Sequence, residues 1–304
     1  MVKDYKNFKI STISDLHVGE KMYGFFVCRE KNILITQNGT NYMDLLISDI
    51  TGLIRAKLWQ NIDFYNKKFD IGQPIAIKGI PVIYNGKVQI NISQINLAKC
   101  SIYQKYGFKP ELIIKTIKED PKQIYSKIIN QIKKIKLSSL RVLCHKIYED
   151  NMNKILSVPA SLKGYYSLSG GLVMHISNSI DIGLSLLANY KNLNKDLIVA
   201  GLLLKDIGKI NFYTGKYIYV EEKDVKNIGH EILSIELITN ATRNINNFPI
   251  ELKRILFKMI IINNVKNHES GKYSDIPEIW LIDKLKRLDF ELDNINQKDE
   301  FIHK

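Results

Sequence analysis

The sequence predicts an α+β protein of two parts, a small closed β-barrel followed by an all-helical domain. Three observations carry this. Residues 8–98 alternate apolar and polar with turn signals between the runs, the pattern of short half-buried strands. After residue 120 the apolar positions recur at three and four instead, the period of helices. The chain has 304 residues, enough for two domains with separate cores.

In the first part, Gly19–Cys28 alternates and is rich in aromatics. Asn41–Ser48 and Leu53–Trp59 flank Asp49-Ile-Thr-Gly52, a turn signal between two strands. Ile75–Ile83 and Lys87–Leu97 flank Tyr84-Asn-Gly86, which carries the Asn-Gly hairpin dipeptide. Five strands with two hairpins in under a hundred residues suit a small barrel better than an open sandwich. Residues 99–120 lose the pattern and read as a linker, giving domains 1–98 and 121–304. Asp120-Pro121 starts a helix whose apolar stripe is Ile124, Ile128, Ile129 and Ile132. Lysines 122, 127, 133, 134 and 136 make it basic on one side, either a phosphate-contacting surface or a solvated face. Residues 137–158 continue as helix up to Pro159.

The helical part is organised around residues 199–210, Val-Ala-Gly-Leu-Leu-Leu-Lys-Asp-Ile-Gly-Lys-Ile, a buried helix with Gly208 and Lys209 as its C-terminal stop. Asp206 falls in the last turn, where a carboxylate opposes the helix dipole by roughly 0.3–1 kcal/mol. It needs a partner there, a metal ion or the flanking Lys205 and Lys209. His175 follows a glycine pair on an apolar helix, and His230 opens another. A helix N-terminus keeps an imidazole neutral, as a ligand must be.

The net charge of +13 favours an anionic partner, by default nucleic acid. Cys28, Cys100 and Cys144 are widely spaced and show neither a disulfide framework nor zinc spacing, which suits reduced thiols in a cytoplasmic protein. No signal peptide is read at the N-terminus, and no apolar run approaches the ~18 residues that would span a membrane.

The first part resembles the OB-fold of nucleic-acid-binding proteins. Residues Asp49–Trp59 look like the hairpin joining the second and third barrel strands, and Gly72–Gly79 like the fourth. OB-folds stack bases of a single strand on exposed aromatics beside basic groups. The candidates are Phe25, Trp59, Phe64 and Tyr84 for bases, with Arg29, Arg55, Lys57 and Lys87 for phosphates. Arg55 and Lys57 share one strand face, opposite Ile54 and Ala56.

The spacing of His175, Asp206 and His230 resembles the HD-domain phosphohydrolases. With the barrel in front, Pro159-Ala160, Gly170-Gly-Leu172, Leu202-Leu-Leu-Lys-Asp-Ile-Gly-Lys209 and Gly229-His230 extend this to the YhaM-type 3′→5′ exoribonucleases over almost the whole chain. The resemblance implies an N-terminal OB-fold, a C-terminal HD-type domain, and metal ligands at His175, Asp206 and His230, with Asp206 also the catalytic candidate. The departures are equally plain. The family's His-Asp pair is Lys205-Asp206 here. Its tandem histidines fall on Asn263-Asn264, its late metal aspartate on Lys286, and an upstream His-His on Tyr165-Tyr166.

Each change removes a ligand, and two add positive charge. A cation about 4 Å from a divalent ion is repelled by several kcal/mol at an effective dielectric near 20. The expectation is a salt bridge, with Lys205 or Lys286 in the metal's place against Asp206, with or without a pocket whose lysines grip a phosphate without cutting it, and no metal cofactor. His268, Asp275, Asp283 and Asp289 could replace lost ligands but read as surface or helix-face residues. The leading functional expectation is a non-catalytic protein that binds single-stranded RNA or DNA, monomeric or oligomeric. The alternatives are an active exoribonuclease using Mn or Mg and a protein–protein adaptor.

Overall fold

The computed structural model describes residues 9–164, 166–187, 189–261 and 276–302. It divides into two compact units: residues 1–115 with 215–218, and the remainder of the chain.

The first unit is a closed barrel in the order β1-β2-β3-β5-β4, the OB-fold arrangement. Its strands are β1 (Met22–Ile35), β2 (Asn41–Ser48), β3 (Leu53–Leu58), β4 (Pro74–Tyr84) and β5 (Lys87–Leu97). All pairings are antiparallel except β3 with β5, which is parallel and closes the barrel. The interior is filled by alternate residues, among them Phe26, Met43, Leu45, Ile47, Ala56, Ile75, Ile77 and Ile90. Asp49 builds the β2–β3 turn: its Oδ1 accepts from the backbone and hydroxyl of Thr51 and from the Gly52 amide. The five strands sit where the sequence places them. β1, however, runs on to Ile35 past a bulge between Cys28 and Glu30, held by β2. Between β3 and β4 lies the short helix α1 (Ile62–Asn66), with Ile62 and Tyr65 packed on the barrel core.

Residues 99–120, expected as a linker, are folded. They carry α2 (Cys100–Tyr103) and two 3₁₀ turns, Gln104–Tyr106 and Pro110–Leu112. Phe108 and Ile113 join Phe25, Val27, Ala76 and Ala98 in a second apolar cluster of this unit. Phe25 is therefore core, 2% exposed, and not a base platform.

The second unit comprises α3 (Pro121–Lys133), α4 (Ser138–Asp150), α5 (Met152–Ile155), α6 (Gly171–Leu186), α7 (Lys195–Lys205) and α8 (Lys209–Phe212). A two-residue ladder follows, β6 (Tyr213–Thr214) with β7 (Val220–Glu221), then α9 (His230–Arg243), α10 (Ile250–Ile261) and α11 (Pro277–Ile302). The central helix α7 is apolar all round and packs on α6, α10, α11, α4 and α9. Asn194 caps its start by accepting from the Asp196 and Leu197 amides. It ends at Lys205, one turn earlier than the 199–210 pattern suggests, with Asp206 as the C-cap. Gly208 is right-handed and does not stop the helix; it opens α8. Glycine is needed there because a Cβ would lie 2.1 Å from the His230 carbonyl oxygen. Among the described residues no helix is long and apolar enough to cross a membrane.

Candidate nucleic-acid interface and the Asp206 cluster

Strand pairing sets the outer face of β1, β2, β3 and β5 in rows. Leu34 stands opposite Tyr42, at the β2 end that leads β3 on to Trp59. Asn32, Asp44, Lys57 and Asn91 form the next row, and Glu30, Leu46, Arg55 and Gln89 the third. Tyr42 stacks on Trp59, ring centroids 4.8 Å apart and planes 23° from parallel. The Lys57 ammonium lies 5.3 Å from the Tyr42 ring, 5.6 Å from Trp59 and 4.8 Å from Tyr84. Trp59 donates through Nε1 to Asn91 Oδ1 at 3.3 Å, which fixes the indole's tilt. Trp59 and Tyr84 keep 42% and 56% of their surface exposed, enough to receive a base.

The structure thus gathers Arg55, Lys57, Trp59 and Tyr84 on one face, with Lys87 exposed opposite Tyr84 in the β4–β5 hairpin. Arg55 is engaged by two acids, Glu30 and Asp44, each 3.0 Å from its Nη1. Arg29 is half-buried beside the β1 bulge and donates from Nε to Ser48 at 2.7 Å; burial lowers its pKa. Phe64 lies on α1 instead of this sheet face, with the Lys68 ammonium 4.0 Å from its ring centre. Tyr42 is the residue that sequence reading missed. Its place in the stack comes from cross-strand register, which one strand's pattern does not reveal.

In the helical unit the second candidate site is buried around Asp206, with the His230 side chain 18% exposed. His175 is 2% exposed on α6, and Asp206 is 3% exposed. His230 is the first residue of α9, as expected. The Asp206 carboxylate meets His175 Nε2 at 3.2 Å through Oδ2, and His230 Nε2 at 3.0 Å through Oδ1. Lys209 Nζ lies 3.2 Å from Oδ1. On the far side of the imidazole, His175 Nδ1 is 3.4 Å from the Ser179 hydroxyl. Ser234 binds the loop to α9: it accepts from the Gly208 amide, and its hydroxyl lies 3.1 Å from the Lys205 carbonyl. The same environment acts on neighbouring phenols. Burial, with Glu221, Asp206 and Glu231 nearby, pushes Tyr213 up to about 12.

Lys205 is 2% exposed and Lys209 5%. The Lys209 ammonium on the Asp206 carboxylate does not suit a divalent ion at that oxygen. Among the described residues no group of three or more His, Cys, Asp and Glu side chains is arranged to hold a metal ion. Among the described residues, those around Asp206 do not make a metal centre, with the Lys209 ammonium on the carboxylate that would have to ligate. Asn263, Asn264, His268, Asp275 and Tyr165 lie outside the described residues, and Lys286 and Asp289 belong to α11 with side chains outside them. Asp283, expected as a surface or helix-face residue, lies on helix α11 but is 3% exposed, with Arg287 Nε 3.5 Å away. Tyr166 accepts from Asn178 Nδ2 at 2.6 Å, its ring 5.7 Å from that of His175.

No family model matches the chain. Its barrel is similar to solved OB-fold structures of low identity. The second OB-fold domain of replication protein A from Methanococcus maripaludis is 19% identical, covering 30% of this chain and 96% of that one, with a TM-score of 0.25. A replication factor A related protein from Methanobacterium thermoautotrophicum is 20% identical over 32% of this chain and 96% of that one, at 0.26. A mitochondrial single-stranded DNA-binding protein from S. cerevisiae is 17% identical over 26% and 94%, at 0.25. The OB-fold assignment made above stands on the strand order and closure of the barrel itself.

Proposed function

We propose that this chain binds single-stranded nucleic acid on the β1–β2–β3–β5 face of its barrel, and that its helical unit does not cut the strand. One observation carries the reading: the Tyr42–Trp59 stack with Lys57 held among three exposed or half-exposed rings. Flat π surfaces take bases of any sequence, and the ammonium beside them takes the phosphate between two bases. RNA is the proposed strand, on the strength of the resemblance to YhaM-type exoribonucleases. In the helical unit, the buried Lys209 ammonium at Asp206 supports a scaffold built on the exoribonuclease plan with a metal replaced by an internal ion pair.

The test is binding of a labelled oligouridylate across a salt series. Affinity should fall steeply as salt rises, with a slope set by the phosphates neutralised. Trp59→Ala should weaken binding by roughly 5- to 150-fold, the equivalent of one lost stack at about 1–3 kcal/mol. A flat salt response, or a Trp59→Ala variant that binds like the parent, contradicts the reading and leaves the adaptor alternative.

A further inference from the structure

A second concave surface lies on the same barrel, beyond Trp59. It encloses about 1050 Å³, above the usual size of a small-molecule pocket. Its floor is made by residues of β1, β3, β4 and β5, among them Met22, Leu58 and Ile92 of the barrel core, and residues between 9 and 21 form one wall. That wall is tied down: the Ser11 amide donates to the Tyr23 carbonyl and the Gly19 amide to the Pro81 carbonyl. Trp59 and Asn91, the hydrogen-bonded pair of the aromatic face, also line this groove. A smaller recess of about 210 Å³ shares Tyr23, Lys78 and Gln94 with it and adds Tyr103 and Tyr106.

The groove is shaped by a specific backbone irregularity. The β4–β5 register shifts between Lys78 and Gly79, so that Lys78 pairs Gln94 while Gly79 pairs Ile92. Ser93 is left over, and its hydroxyl donates to the Lys78 carbonyl at 3.0 Å. Only glycine fits at position 79, where a Cβ would lie 2.6 Å from the Asn91 carbonyl oxygen. Such bulges re-aim the side chains beside them. Here Lys78, Ser93 and Gln94 all line the groove, and all three are exposed.

We infer that this groove holds the continuation of the strand that crosses the aromatic face, which turns at Trp59 and Asn91 and runs past Lys78 and Gln94 towards Tyr23. The inference rests on the proposed function. The chemistry of the groove suits bases more than a row of phosphates. Amides at Gln60, Asn61, Asn91 and Gln94 present donors and acceptors to base edges. Its charges are mixed, with lysines at 9, 21 and 78 against Asp15 and Glu20. Asp15 already accepts from the Thr12 hydroxyl at 2.9 Å. The groove therefore adds contacts to a strand already anchored by Lys57 and Trp59, and binds little alone.

The experiment uses the full chain and labelled oligouridylates of about 5 and about 15 nucleotides, within the range of one OB-fold site, with oligothymidylates of the same lengths as the DNA arm. Lys78→Ala and Gln94→Ala should each cost the long strand about five-fold or more in affinity and leave the short strand unchanged. Trp59→Ala should weaken both lengths. Long-strand binding unaffected by Lys78→Ala and Gln94→Ala overturns the groove, as does an equal loss at both lengths. If Trp59→Ala changes neither length, the aromatic-face reading itself fails, a result separate from the first two. A loss on Gln94→Ala in both the RNA and the DNA series supports contacts that do not involve the 2′-hydroxyl, as the base-edge reading requires; a loss confined to RNA overturns that reading.

Discussion

Arg55 shows how one side chain can be poised and restrained at once. It stands on the aromatic face one row from Lys57, yet Glu30 and Asp44 both hold its Nη1 at 3.0 Å. A phosphate must compete with two carboxylates for it. Asp44→Asn should therefore tighten oligouridylate binding several-fold at low salt, with the gain shrinking as salt is added. Fluorescence anisotropy of the variant and parent at two ionic strengths checks this. Asp206 is the opposite case, a buried acid shared by His175, His230 and Lys209. Asp206→Ala leaves buried positive charge without its partner and should cost on the order of 3–5 kcal/mol of stability. Denaturant unfolding measures the loss, and it should be the same with manganese or with chelator. A manganese-dependent difference in the parent protein would show a bound ion instead. Sequence reading found Asp206, His175, His230 and the flanking lysines, because acids and histidines inside apolar runs stand out. It did not find Tyr42, whose partner Trp59 lies across a strand pair, nor the burial of Asp283, which depends on what α11 packs against.

At the scale of elements, the strands were legible because turn chemistry marks their ends. Asn85 and Gly86 both take positive φ in the β4–β5 hairpin, as that dipeptide suggests. The extension of β1 to Ile35 was not legible: residues 29–35 do not alternate, and only pairing with β2 holds them extended. The early end of α7 was hidden for a related reason. The apolar period continues through Ile207 and Ile210, but those residues belong to the turn and to α8, which bury the same side. Gly201 in the middle of α7 is a packing residue. A Cβ there would lie 2.3 Å from Ile282 Cδ1 and 2.8 Å from Met259 Sδ. Gly201→Val should overpack the α7–α10–α11 contact and destabilise the protein by about 1–3 kcal/mol. Equilibrium urea unfolding reads this directly, and an unchanged midpoint would contradict the packing described.

For the whole molecule, the division into barrel and helical parts was readable from the change of period near residue 120, while the fold of residues 99–115 was not. Those residues lack any period because they adopt short turns whose apolar side chains, Phe108 and Ile113, fill a cluster built mostly by the barrel. Stability should also depend on alkaline pH. Burial raises Cys28 to about 11, Tyr217 and Tyr213 to about 12, and Tyr148 well above 10.0. Each group keeps its proton in the folded chain at a pH where the unfolded chain has lost it. Their contribution is complete below the unfolded values near 9 to 10 and disappears as pH rises through the folded values. Unfolding free energy should hence fall from about pH 9 upward, and Tyr148→Phe should make that fall shallower.

The account as a whole claims a strand binder with an inert helical unit. The direct measurement is incubation of 5′-labelled single-stranded RNA with the purified protein and manganese, followed on native and denaturing gels. The account predicts a shifted band on the native gel and a full-length strand on the denaturing gel. A ladder of products shortened from the 3′ end would contradict it.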